Sequence, residues 1–113
     1  MKYSFSFFLL VLFNLAGYSQ QTIDYADQYA KKVAQRMEDS IGITEQQKSM
    51  IYKINSSIAE QKKAVWQNYT NRDSVQVYIQ AIEDKRNSLY NGMLTYDQYE
   101  AYLQKKHNIL NNN

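Results

Sequence analysis

Two threonines are each followed three residues later by a glutamine, Thr44 with Gln47 and Thr95 with Gln98. Both pairs sit in one five-residue frame, Ile-Thr-Glu-Gln-Gln at Ile43–Gln47 and Leu-Thr-Tyr-Asp-Gln at Leu94–Gln98, shortly behind Gly42 and Gly92. The chemistry of this spacing is hydrogen bonding at the start of a helix. The threonine hydroxyl accepts the backbone N–H of the third helical residue, and the glutamine side chain returns to the threonine N–H. Losing such a cap costs about 1 kcal/mol. Ile43 and Leu94, one residue earlier, stand where an apolar side chain can staple the first turn. Leu94 has Tyr99 as its staple partner, whereas Ile43 has Lys48 and a weaker one.

Other chemistry finds few residues to carry it. The chain has no cysteine, and its one histidine, His107, is flanked by Lys105 and Lys106, so no zinc set forms. Met37, Met50 and Met93 are scattered as gap-filling side chains are. No glycine-rich phosphate loop and no nucleophile–base constellation is present. The acidic pairs Glu38/Asp39 and Glu83/Asp84 diverge by about 100° on a helix and read as solvated faces. The expectation is therefore a protein that is not an enzyme and holds no metal or cofactor. Asn55-Ser56-Ser57 and Asn68-Tyr69-Thr70 match the glycosylation acceptor pattern, but both are expected on a helix, where such sites are disfavoured.

These motifs need helices to position them. Lys2, an apolar run from Phe5 to Ala16 and small residues at Gly17 and Ser19 have the three-part layout of a signal peptide over residues 1–19. The run is too short to cross a bilayer, which takes about 20 apolar residues, so no stable membrane anchor is expected. Residues 20–113 are then expected to form a single exported helical domain. Without Lys2 it has 12 basic against 11 acidic residues, and this near-neutral balance gives no support for nucleic acid as a partner.

With no proline in the chain, long helices are permitted. Apolar periodicity places them at about 23–40, 44–70, 73–91 and 95–110. The first carries Ile23, Ala26, Ala30, Val33, Ala34 and Met37 on one stripe, with Thr22 or Asp24 as cap. The second carries Gln47, Met50, Ile51, Ile54, Ile58, Val65 and Tyr69; the third Val75, Tyr78, Ile79, Ile82 and Leu89, stopping at Asn91-Gly92. The fourth carries Tyr99, Tyr102, Leu103 and Leu110, with Tyr96 beginning an aromatic run at three-residue steps. Unbroken, the second helix is about 40 Å long. A compact domain of this size is only about 26 Å across, so an all-α, elongated and bent four-helix subunit is expected, with apolar surface left for a second copy.

The paired Thr-x-x-Gln motifs behind Ile43 and Leu94, in a small helical chain with an export leader, resemble the Spy/CpxP family of periplasmic stress proteins. The resemblance is tight at the two pentapeptides and covers the rest of residues 20–113 in layout. It implies a cradle-like four-helix subunit that pairs as an antiparallel homodimer. It also implies ATP-independent binding of unfolded or aggregation-prone clients, or contact with an envelope sensor protein. A client or dimer surface is readable on the second helix, where Tyr52, Ala59 and Trp66 recur every seven residues among Lys48, Lys62 and Lys63. Packing of Trp66 on a neighbouring helix is the plainer account of those residues. The alternative to a chaperone is a structural or interaction subunit of the envelope with one dedicated partner.

Overall fold

The computed structural model describes residues 20–111, with side chains from Tyr25 onward. The leader at 1–19 and the terminal Asn112 and Asn113 fall outside what it describes, as do the side chains of Thr22, Ile23 and Asp24; Thr22 and Asp24, expected as caps, lie inside a helix that already runs from Gln20. Four helices follow one another: α1 (Gln20–Ile41), α2 (Glu45–Asn68), α3 (Arg72–Met93) and α4 (Tyr96–Asn111). No strand occurs among the described residues, and the class is all-α.

Local chemistry explains the breaks. Gly42 takes a left-handed φ of 71° just past α1, and its N–H closes on Glu38 O at 3.1 Å. A residue with a Cβ is strained there. Asn71 caps α3, its side-chain oxygen accepting the Ser74 N–H at 3.1 Å. Gly92 behaves differently from Gly42: it lies inside α3, which runs on to Met93. The chain turns instead at Leu94, whose φ and ψ of −92° and 155° are extended. That conformation is open to any residue, so no glycine is needed at this stop.

α1 packs on α2 and α4, α2 packs on α3, and α3 touches α4 most lightly. The molecule is 37 Å in its longest dimension, close to the length of α2 alone, and 31 Å in the other two. Its radius of gyration, 14.7 Å, exceeds the roughly 13 Å of a compact 100-residue domain.

The core gathers Val33, Ala34 and Met37 of α1, Ile51 of α2, Tyr90 of α3, and Tyr102, Ile109 and Leu110 of α4. Several residues expected inward are not. Met50, Tyr69, Tyr78, Leu89 and Leu103 keep 39–43% of their surface in water. Two polar residues take their places: Asn55 and Arg86 are fully buried. Asn55 falls between Ile51 and Ile58 on the α2 stripe, and Arg86 between Ile82 and Tyr90 on α3, so helical spacing carries both inward.

Burying a guanidinium costs several kcal/mol unless every donor is met. Arg86 Nε donates to Asn55 Oδ1 at 3.1 Å, Nη1 to Glu83 Oε1 at 2.6 Å and Nη2 to the Tyr29 hydroxyl at 3.2 Å. Glu83 is thus part of the interior network and not a solvated face, while Asp84 beside it accepts from Gln80 at 2.9 Å on the outside. Asn55 Nδ2 donates to Ile51 O at 2.8 Å and to the Tyr90 hydroxyl at 2.5 Å. Its amide is consumed, which removes Asn55-Ser56-Ser57 as a modification site; Asn68 is exposed at the last position of α2.

Burial pushes the Tyr90 hydroxyl up to about 12, and it raises Tyr29 and Tyr102 as well. A tyrosine raised in the folded state contributes stability that is complete below its unfolded value near 10 and lost as pH climbs through the folded value. Urea unfolding between pH 8 and 12 should therefore show stability falling from about pH 10. Tyr90→Phe should cost about 1 kcal/mol at pH 7 and make that alkaline fall shallower.

Candidate functional site

Thr44 is the N-cap of α2, with a complete capping box: Thr44 Oγ1 accepts the Gln47 N–H at 3.0 Å, and Gln47 Oε1 accepts the Thr44 N–H at 2.9 Å. The start of α4 repeats it. Thr95 Oγ1 accepts the Gln98 N–H at 3.2 Å, and Gln98 Oε1 accepts the Thr95 N–H at 2.9 Å. Leu94 joins the core cluster, and Ile43 and Tyr99 pack against it.

The two boxes face each other. Gln47 Nε2 donates to Gln98 Oε1 at 2.7 Å, and Gln98 Nε2 donates to Gln47 Oε1 at 3.1 Å. Each amide also donates to the opposite turn, Gln47 to Met93 O at 3.4 Å and Gln98 to Gly42 O at 2.9 Å. Gly42 and Met93 both lie two residues before their threonine, so the arrangement has an approximate two-fold axis through the glutamine pair. The backbone N–H groups of Thr44 and Thr95 require an oxygen to face them, which fixes how both amides are turned. This clasp explains the choice of glutamine in both frames. Glutamate would cap equally well, but it has no N–H to offer across the pair.

The residues expected to form a client or dimer surface divide into two groups. Lys48 and Tyr52 hold α1 on α2. Lys48 Nζ pairs with Glu38 at 2.8 Å, and the Tyr52 hydroxyl donates to Asp27. The Lys48 ammonium keeps Glu38 below the usual carboxylate range and is itself raised by it. Asp27 is lowered by Tyr52 and then by Lys31, 3.0 Å away. A groove of about 480 Å³ runs beside them, with Ala34 and Glu45 in its wall.

Ala59, Lys62, Lys63 and Trp66 line a different groove, of about 380 Å³, with Tyr25 and Tyr29 of α1 and Leu110 of α4. Trp66 is 64% exposed, so it is not packed away on a neighbouring helix. It also lines a third groove with Arg72, Val75 and Ile79 of α3, and the rings of Tyr69 and Tyr78 stack on each other 4.5 Å apart. Of the other tyrosine run, Tyr96 is exposed, Tyr99 half-buried and Tyr102 fully buried, edge-on to Tyr90 at 4.7 Å. Three-residue steps fall about 60° short of a turn, so such a run cannot keep one face.

His107 is exposed beside Asn111, and among the described residues no three histidine, cysteine or acidic side chains gather as a metal would require. No described helix is long and apolar enough to cross a membrane. Sequence reasoning missed Asn55, Arg86, Glu83 and Tyr29 as a connected group. Their one signal was a polar residue at the spacing of the apolar stripe. No protein-family model, curated protein or solved structure matches the chain. The fold is all-α, and the clasp joins the α1–α2 turn to the α3–α4 turn.

The clasp separates two roles of one side chain. In an isolated cap, Gln47→Glu is neutral or stabilising by a few tenths of a kcal/mol, because a carboxylate suits a helix start. Here it removes the donors to Gln98 and Met93, so urea melts at pH 7 should show a loss of about 1–2 kcal/mol. The double variant with Gln98→Glu should lose more than the two single losses together, since two carboxylates then face each other.

Proposed function

We propose that the protein is an ATP-independent, chaperone-like binding protein of the cell envelope that holds unfolded or aggregation-prone polypeptides, as the Spy/CpxP resemblance implies. The observation that supports this reading best is the groove walled by Trp66 and Tyr25. Two large aromatic rings, 64% and 68% exposed, flank a floor of buried apolar side chains and a pair of lysines. Clustered exposed apolar surface marks a binding site in soluble proteins, and aromatic anchors contribute most of the energy at such sites. A stress-regulatory contact with a sensor protein would use the same surface.

Met50, Tyr78 and Leu89 add apolar area on α2 and α3 that the other described residues leave uncovered. That area suits pairing with a second copy, the antiparallel homodimer of the family pattern. It also favours a second reading, a subunit with one dedicated partner. Gly92 is helical, with no positive φ, and a Cβ placed on it meets nothing within 4 Å. Glycine inside a helix is about 1 kcal/mol less favourable than alanine. No contact among the described residues recovers that loss, whereas a partner backbone approaching α3 closely would.

Suppression of the aggregation of several unrelated denatured proteins tests the first reading. The protein should suppress all of them without nucleotide. Trp66→Ser, with unchanged helicity and melting, should lose at least about half of that capacity. Full capacity in the variant would remove the groove from client binding. No suppression of any client by the parent would leave the dedicated-partner reading.

A further inference from the structure

The Trp66 groove differs in its charge from the grooves beside Lys48 and along the outer face of α3. Among the described residues, Lys62 and Lys63 stand on its lining and no carboxylate does, whereas the Lys48 groove includes Glu45 and the α3 groove Asp73 and Asp84. Its floor, Ile58 and Leu110, is almost fully buried. At about 380 Å³ it lies within the range of ligand pockets, about 300–1,000 Å³.

Lys62 already has a partner. Its ammonium pairs with Oε2 of Glu83, whose other oxygen takes Arg86 Nη1 at 2.6 Å. Arg86 also donates to the Tyr29 hydroxyl at 3.2 Å, and Tyr29 lines the same groove. Two side chains of the groove wall are therefore two ends of one interior hydrogen-bond chain. The Lys62 and Glu83 side chains are 30% and 21% exposed, so an incoming group can reach the ammonium from solvent. Exchange of partners there strands no charge. Glu83 keeps Arg86, and Arg86 keeps Asn55 and Tyr29.

We propose that this groove selects unfolded segments in which a large apolar side chain lies next to an aspartate or glutamate. The apolar group enters between Tyr25 and Trp66, and the guest carboxylate takes Lys62 from Glu83. The proposal rests on the client-binding reading and adds a substrate preference to it. Glu83 is the internal competitor. Neutral segments leave its ion pair intact, while acidic ones exchange it and gain an attraction that salt weakens.

Trp66 is the only tryptophan, so its fluorescence reports the groove directly. The full chain is titrated with a short extended peptide carrying phenylalanine next to aspartate, and with the same peptide carrying asparagine. The acidic peptide should bind about three- to fivefold more tightly at low salt, the scale of a partly exposed ion pair, and this preference should shrink at high salt. Glu83→Gln keeps an acceptor for Arg86 while freeing Lys62, and should raise the preference to about tenfold. Lys62→Met leaves the Glu83–Arg86 pair in place and should abolish the preference even if Glu83→Gln does not fold. Equal binding of the two peptides, or a preference that Lys62→Met leaves unchanged, overturns the proposal while aggregation suppression stands. No Trp66 response to either peptide overturns it too, and with suppression also absent the client-binding reading falls.

Discussion

Two glutamine amides pressed against each other decide where the four helices can go. Each satisfies its own helix start, the other amide and a carbonyl of the opposite turn. With the α1–α2 and α3–α4 turns pinned together, the helices must leave from one end in a common arrangement. The core forms behind the pin, where Leu94 joins Tyr90, Tyr102 and Met37 and where Ile43 packs. A pair of independent caps would fix two helix starts without fixing where they lie relative to each other. The reciprocal donors add that second constraint with the same side chains.

Midway along the bundle the interior changes from apolar to polar. Arg86 finds acceptors on three helices, Tyr29 on α1, Asn55 on α2 and Glu83 on its own α3. No buried side-chain nitrogen or oxygen among the described residues lacks a partner. A network met this completely tolerates little sliding, because a shift of one residue would leave a guanidinium unpaired away from water. The clasp fixes one end of the bundle, and the network fixes the register further along.

Beyond the network lies the other end of the bundle, where the α2–α3 turn, the first part of α1 and the close of α4 meet. Among the described residues no clasp ties this end. Its exposed large side chains are Tyr25, Trp66, Tyr69 and Tyr78, and its groove opens onto the outer members of the polar network, Lys62 and Tyr29. A small bundle stabilised at one end and in the middle can leave apolar area uncovered at the other. That is the physical basis for the proposal that clients bind there.

Much of this was legible in the residues. Chain chemistry within a few positions set the helices and their starts: no proline, one left-handed glycine, two threonine–glutamine boxes and apolar residues at helical spacing. The α1 stripe from Ala26 to Met37 is buried as its period required. Trp66 was singled out by its type and spacing, although Tyr52, its companion by spacing, and the bordering Lys48 serve the α1 contact instead. What the sequence could not carry were pairings between residues far apart in the chain: Gln47 with Gln98, Asn55 with Arg86, Lys62 with Glu83. Helical periodicity says which way a side chain points, but not what it meets, and a polar residue on an apolar stripe reads as a flaw until its partner is known. Local hydrogen bonds and period thus determined the helices. Only tertiary packing decided which amides, charges and rings came within bonding distance, because those energies depend on helices brought together from distant parts of the chain.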